Sequence, residues 1–332
     1  MTVKRVQWVK YKNMGGPRYL GQRGKDRKFV HTYKPQEPMG VWSQIMAVVA
    51  ACEGNFDTVV MYDETGVTAG FMQWTFKSGR LQKLLQFMKS IPCIDFTQRD
   101  SDENLFDDLL VMDDGRQIFS RFGFSIQNGK FFSGGKFLNP VNKKEQKRIV
   151  DVCMGRGLGL KDDKARVHAM ALCKLFAGLG RTPTFQAAQV EFGKHEFKLA
   201  LDAKRPPLKE VGGTIRHLIP DEAWGTPIPA IFFNLYQNAP MGAFRLFKNA
   251  LKKAKAKRLV ELTSVEGYVL ADGASMDDVL DIIWRQLNRT GYADWGFRSK
   301  QYLESGGKNP PRIKRIKPAI KEYYGVDLPY YK

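Results

Sequence analysis

Two carboxylates and a threonine lie close together in residues 47–74, AVVAACEGNFDTVVMYDETGVTAGFMQW. Glu53 ends an apolar run and is followed at once by Gly54, whereas Asp63 comes ten positions later among polar residues. An apolar segment rarely ends in a carboxylate unless that group is paired or used. The pattern therefore suggests acid–base chemistry by two carboxyl groups that local elements must hold in different surroundings.

The segment before Glu53 has the spacing of a helix. One buried helical face is predicted by apolar residues at offsets of three and four, namely Trp42, Ile45, Met46, Val49 and Cys52. Gly54 is a typical residue at the end of a helix. TVVMY then predicts a strand and DETG a turn, and VTAGFMQW is expected to return as a second strand or to lead into the next helix.

These elements predict different protonation states for the two carboxyl groups. At a helix carboxyl end, Glu53 faces the partial negative charge of backbone carbonyls and has apolar neighbours, and both effects raise a carboxyl pKa. Asp63 in a solvated turn is expected to stay ionised. One carboxyl that donates a proton and a second that orients water are the groups that glycoside cleavage needs.

Residues near Asp63 could bind the same water or a sugar. The hydroxyl of Thr68 is the candidate water ligand, and the candidate substrate-binding residues are Tyr62, Gly70, Gln73 and Trp74. Gly70 leaves space beside the backbone, and the aromatic rings offer a stacking face. Glu53 and Asp63 could also have purely structural roles, because glutamate is common at helix ends and aspartate is common in turns. Asp57 and Glu64 compete with Asp63 for the role of second carboxylate.

The order Glu53, Asp63, Thr68, Gly70 resembles that of phage-type lysozymes, where a glutamate ends a helix and a β hairpin carries the other catalytic groups. The Glu-to-Thr separation is the same, whereas Asp63 sits one position late. GFMQW resembles a signature of soluble lytic transglycosylases and goose-type lysozymes, and GVTAG resembles a loop of bacterial chitosanases. Confined to residues 41–76, the resemblance implies a lysozyme-superfamily core: α+β, mostly α-helical and two-lobed, with one small β hairpin after the catalytic helix.

Charge and water-holding residues select among the activities of that superfamily. The chain has 53 Lys and Arg against 34 Asp and Glu, a net charge of +19, which attracts polyanions and repels cationic chitosan. The resemblance thus implies a muramidase that cleaves the β-1,4 bond between N-acetylmuramic acid and N-acetylglucosamine, with Glu53 as acid and Asp63 and Thr68 holding the water. The alternatives are a lytic transglycosylase and, from another class, a non-enzymatic basic virion or nucleic-acid-binding protein with an inert lysozyme-like segment.

Composition along the chain predicts three regions. Residues 1–37 are expected to form a basic, partly extended arm, 38–240 the lysozyme-like catalytic domain, and 241–332 a basic helical region that packs on that domain or binds the wall. Within the last region, residues 244–258 predict a basic helix packed through its apolar face, with anionic membrane as the other binding possibility. Basic residues and tyrosines near the end of the chain suit packing, sugar stacking or nucleic acid.

No cofactor or metal is predicted, because the four cysteines and four histidines lack metal-site spacing. The cysteines are expected to be buried thiols. Without a signal peptide or a membrane span in the sequence, we expect a phage-encoded protein made in the host cytoplasm that acts on the wall after release through a lysis pore or from a virion. The expected partner is peptidoglycan, with an anionic wall polymer or outer-membrane surface as a second contact for basic segments and no obligate nucleic acid.

Overall fold

A computed structural model describes residues 6–11, 14–20, 39–61, 66–90, 108–133, 136–137, 163–237, 239–289 and 313–330. These residues have an α+β fold with a majority of helix, as predicted. The helices are α1 (Val41–Glu53), α2 (Arg80–Lys89), α3 (Asp163–Leu179), α4 (Pro183–Asp202), α5 (Pro227–Tyr236), α6 (Pro240–Ala256), α7 (Met276–Arg289) and α8 (Ile313–Tyr324). A further predicted helical segment, residues 145–159, lies outside the described residues.

The chain forms two compact units, each built from two separate chain segments. The first unit comprises Met1–Tyr33 and Glu53–Phe192, and the second comprises Lys34–Cys52 and Gly193–Lys332. The domain borders predicted after residues 37 and 240 do not coincide with these limits. Residue 240 lies inside the second unit, where the Phe232 ring of α5 packs on Phe244 and Phe247 of α6 at centroid distances of 6.1 and 5.0 Å.

The first unit contains the hairpin that the sequence predicts after Glu53. It belongs to an antiparallel sheet whose strands follow in the order β1 (Gln7–Tyr11), β2 (Met14–Tyr19), β3 (Val59–Val60), β4 (Thr68–Ala69) and β5 (Trp74–Thr75). Strand β2 pairs with β3 in the register Tyr19↔Val59. Residues 7–11 and 14–19 are therefore strands of this sheet, whereas the sequence predicted a basic, partly extended arm.

A second antiparallel sheet in the first unit corrects the prediction of a single small hairpin. Its strands follow in the order β10 (Lys136–Phe137), β9 (Lys130–Ser133), β8 (Phe124–Gln127), β7 (Gln117–Phe119) and β6 (Leu110–Val111). Asn128 and Gly129, with φ of 50° and 72°, form the turn between β8 and β9. Asn-Gly is a strong hairpin signal, so the hairpin of β8 and β9 was predictable from the sequence. The Phe119 ring packs against Phe76 and Phe176 and joins this sheet to the core.

The second unit surrounds helix α1 with apolar residues. The predicted face is buried from Ile45 to Cys52, but Ala47, Val48 and Ala50 are buried as well, so α1 is covered on nearly all sides. The Asn234 side chain of α5 donates to the Val48 carbonyl at 3.0 Å. Such a contact between a buried amide and a helix carbonyl fixes how α5 lies on α1.

Helices α6 and α8 complete the second unit. In α6, the predicted apolar face (Phe244, Phe247, Leu251 and Ala254) is buried, which confirms packing for this side of the helix. The helix ends two residues earlier than predicted, because the chain turns at Lys257 and continues as an antiparallel hairpin of β11 (Val260–Thr263) and β12 (Gly267–Leu270). In α8, Ile313, Ile316 and Ile320 face inward, so the basic carboxyl-terminal segment also packs through an apolar side.

Candidate functional site

Glu53 is the last residue of α1, and its side chain is half-buried. Gly54 follows with a φ of +152°, and a Cβ at that position would lie 2.8 Å from Thr58 Oγ1. A side chain at residue 54 would therefore collide with Thr58, and the predicted glycine stop is confirmed. This geometry ends the helix at the carboxylate and turns the chain toward β3.

An arginine from the far end of the sequence binds the carboxyl end of α1. The Arg315 guanidinium donates to the Cys52 carbonyl at 2.9 Å, across 263 positions of sequence. The last carbonyls of a helix lack partners within the helix, and a cation there offsets their partial negative charge. The hydrogen bond from Arg315 to the end of α1 is thus a contact that the sequence did not reveal.

The segment after Glu53 is held by a hydrogen bond within itself and by a backbone hydrogen bond from Gly70. The Asn55 amide donates to Thr58 Oγ1 at 2.8 Å, and the Gly70 amide donates to the Thr58 carbonyl at 2.9 Å. Thr68 lies in β4 opposite Val60, and it is only 5% exposed. Thr58 therefore links the residues directly after Glu53 to the chain at Gly70.

Three of the predicted residues lie outside the described part of the chain. These are Tyr62, Asp63 and the competing Glu64. Their assigned roles stay predictions. Among the described candidates, Glu53, Thr68, Gly70, Gln73 and Trp74 all belong to the first unit.

The space beside Gly70 is filled by protein. Gly70 has a φ of +80°, and a Cβ there would lie 2.3 Å from Gln189 Oε1 and 2.9 Å from the Trp74 ring. The Gln189 side chain accepts from the Phe71 amide at 3.2 Å and donates to the Phe56 carbonyl at 3.0 Å. Gly70 thus admits a buried amide that joins the two sides of the hairpin, where the sequence suggested room for a sugar.

Gln73 and Trp74 support the same turn. Gln73 has a φ of +53°, and its side-chain amide donates to the Gly70 carbonyl at 2.8 Å. Trp74 is fully buried, with its ring 5.4 Å from Phe71 and 5.9 Å from Phe192 by centroid distance. The expected sugar-stacking face of Trp74 is covered by these rings, so the observed contacts give this residue a packing role.

A buried ion pair anchors the segment four residues beyond Glu53. Arg181 Nε donates to Asp57 Oδ2 at 3.1 Å, and the two side chains are 8% and 0% exposed. Arg181 also donates to the Tyr19 hydroxyl and lies 5.2 Å above the Tyr19 ring. Burial raises the pKa of the Tyr19 phenol, and the nearby Asp57 charge raises it further. Asp57, a competing candidate for the second carboxylate, is therefore bound to Arg181.

The described cysteines, acidic residues and helices bear on three further expectations. Cys52 and Cys173 are buried free thiols, as predicted, and burial raises the pKa of Cys173. Within the described ranges, no three His, Cys, Asp or Glu side chains gather where they could hold a metal ion. None of the helices in those ranges combines the length and apolar composition needed to cross a membrane.

Comparison with known proteins gave no relative: no protein-family model matches the chain, and no significant match was found among curated proteins or solved structures. Any function of the site therefore has to be inferred from its residues and their contacts. Its described part is a half-buried carboxylate at a helix end, followed by a loop that a buried ion pair and a buried amide hold in place.

Proposed function

We propose that the protein is a muramidase that hydrolyses the glycan strands of bacterial peptidoglycan, with Glu53 as the general acid. The observation that carries the proposal is the position of Glu53. It is the final residue of a buried helix, it is half-buried itself, and an antiparallel hairpin follows it. A proton donor in such surroundings suits the cleavage of a glycosidic bond.

In the proposed reaction, Glu53 protonates the oxygen of the leaving N-acetylglucosamine as its bond to C1 of N-acetylmuramic acid breaks. A water held by Asp63 and Thr68 adds its oxygen to that C1, and the second carboxylate takes the released proton. Attack from the face opposite the leaving group inverts the configuration. The products are two shorter glycan strands, one of which ends in reducing N-acetylmuramic acid.

The frame around Glu53 supports this role. The Asp57–Arg181 ion pair and the Gln189 amide hold the residues that follow Glu53, and the same amide also binds the Phe71 backbone. Catalytic groups need support of this kind, because small displacements from the productive geometry cost rate. The net charge of +19 adds attraction to a polyanionic wall, and it favours encounter rather than the chemical step.

The test is the clearing of chloroform-permeabilised Gram-negative cells by wild type, Glu53→Ala and Glu53→Gln. The exposed Glu222 lies on the second unit, and Glu222→Gln is the matched control. Loss of a general acid typically costs about 10²–10⁴-fold in rate, so both Glu53 variants should clear far more slowly while the control matches wild type. Circular dichroism should show that all variants are folded.

Two results would contradict the proposal. If wild type does not clear cell walls of several chemotypes, the protein is not a muramidase. If the Glu53 variants clear cells as fast as wild type, Glu53 is not the general acid. Anhydromuramic acid among the products would instead indicate a lytic transglycosylase, in which the sugar's own hydroxyl replaces water.

A further inference from the structure

A groove of about 650 Å³ lies along helix α3 in the first unit. Its wall on the helix includes Arg166, Val167, Met170 and Lys174, and the opposite wall includes Asp108 and Arg121 near strands β6 and β7. The volume falls in the range of sites for small ligands or short peptides. None of these residues takes part in the site around Glu53.

The groove is lined by apolar side chains of α3 together with charged side chains. Val167 is 66% exposed, which is unusual for a large aliphatic residue in a helix with so many buried neighbours. Lys174 is exposed and forms no ion pair with another described residue. The Arg166 guanidinium lies 5.3 Å above the Trp8 ring, which holds this cation in place. Across the groove, Arg121 Nη1 lies 3.4 Å from the Asp108 carboxylate.

This distribution specifies the charge pattern of a ligand. Arg166 and Lys174 are two cations with no carboxylate partner among the described residues, and the Arg121–Asp108 pair adds one carboxylate. This set suits a molecule with several carboxylates and one amine, and the apolar side chains of α3 suit small apolar groups. Nucleic acid matches less well, because the Asp108 carboxylate repels phosphate groups. The aliphatic side chains of the groove also offer no cation or hydrogen-bond donor to a sugar-phosphate backbone. A flat lipid surface would reach the charged side chains but would not fill a groove.

We propose that the groove binds the stem peptide of peptidoglycan, an inference that rests on the proposed function. A stem tetrapeptide carries three carboxylates, one free amine on its diamino acid and alanine methyl groups. Arg166 and Lys174 bind carboxylates, Val167 and Met170 contact the methyl groups, and Asp108 binds the amine. The lengths agree, because the eight residue steps from Arg166 to Lys174 rise about 12 Å along the helix, and four extended residues span roughly 13–14 Å.

Binding of the peptide alone separates this inference from the proposed function. Isothermal titration calorimetry would use the full-length protein and synthetic N-acetyl-L-Ala-γ-D-Glu-diaminopimelate-D-Ala, which contains no glycosidic bond and keeps one free amine. Lys174→Glu and Val167→Glu place an anion in the groove at exposed positions, where folding should tolerate the change. Lys77→Glu makes the same charge change at an exposed site of the first unit outside the groove lining.

Wild type and Lys77→Glu should bind the peptide with equal affinity, whereas both groove variants should bind at least tenfold more weakly. Amidation of the peptide carboxylates should weaken binding to wild type in the same way. Equal affinity of groove variants and control, or no binding at millimolar peptide, would overturn the inference even if the protein clears walls. Binding of duplex DNA or anionic vesicles would also overturn the inference under two conditions. The groove variants would bind that ligand more weakly than wild type does, and the bound ligand would prevent the peptide from binding. Peptide binding without wall clearing would refute only the proposed function.

Discussion

Replacing Arg181 with methionine should strongly destabilise the first unit, because the change leaves the Asp57 carboxylate buried without its cation. The Asp57 side chain is 0% exposed and that of Arg181 is 8% exposed, so water cannot replace the lost partner. Removing one member of a buried ion pair typically costs about 3–5 kcal/mol. In a domain of this size, 1 kcal/mol corresponds to about 2–4 °C, so the melting temperature should fall by on the order of 10 °C.

The assay is differential scanning calorimetry of full-length wild type, Arg181→Met, Asp57→Asn and the double variant. The double variant removes both charges, so it should recover roughly 1–3 kcal/mol relative to the sum of the single losses. Arg116→Met breaks a pair whose side chains are 43% and 49% exposed in the same unit, with a distance of 3.4 Å. This control should change stability by less than about 1 kcal/mol, because exposed pairs contribute little.

The reasoning would be refuted if Arg181→Met lowered the melting temperature no more than Arg116→Met. Losses that simply add in the double variant would also refute it, because they would show that Asp57 and Arg181 are not coupled. Hydrogen exchange should place the effect in residues 54–61. Equal protection of that segment in Arg181→Met and wild type would mean that the ion pair does not hold the loop after Glu53.

Three further variants test the frame. Gly70→Ala should destabilise by roughly 2–5 kcal/mol in urea unfolding, because φ is +80° and the new Cβ meets Gln189 Oε1; a loss under about 1 kcal/mol would contradict this account. Arg315→Met removes the hydrogen bond to the Cys52 carbonyl and should lower the free energy of unfolding by about 1–2 kcal/mol. Wall clearing should slow by more than the loss of folded protein explains, as judged from thermal melts. Unchanged stability and clearing rate would argue against a supporting role for Arg315. Burial raises the pKa of Tyr324 above its ordinary value, because the folded protein favours the neutral phenol. The resulting contribution of Tyr324 to stability is fully present below pH 10 and is lost as the pH rises, since the phenol of the unfolded chain ionises first. Tyr324→Phe should therefore lose less stability than wild type between pH 9 and pH 11, as measured by thermal melts, and an identical pH dependence would contradict the assignment.

Local patterns predicted much of the secondary structure. The apolar spacing before Glu53, the glycine after it and the β-branched residues that follow correspond to α1, the chain reversal at Gly54 and strand β3. These features depend on neighbours in sequence, so periodicity and turn chemistry are sufficient to find them. The Asn128-Gly129 hairpin had an equally local signal, and strand β8 alternates buried residues with partly buried ones.

The frame of the site could not be predicted in the same way. Arg181 lies 124 positions from Asp57, and Arg315 lies 263 positions from Cys52, so no local pattern connects them. Gln189 lies within a helix, and nothing in its neighbours shows that its amide reaches the hairpin. The Trp74 ring illustrates the same limit, because an aromatic residue near a candidate site can equally be part of the core.

The central claim is that Glu53 drives hydrolysis of the glycan, and digestion of purified peptidoglycan in H₂¹⁸O tests it most directly. Mass spectrometry would follow the ends of the released fragments from wild type, Glu53→Gln and Glu222→Gln. We predict reducing N-acetylmuramic acid carrying one ¹⁸O from wild type and the Glu222 control, and none above background from Glu53→Gln. Absence of labelled ends from wild type, or equal labelling by Glu53→Gln, would contradict the account.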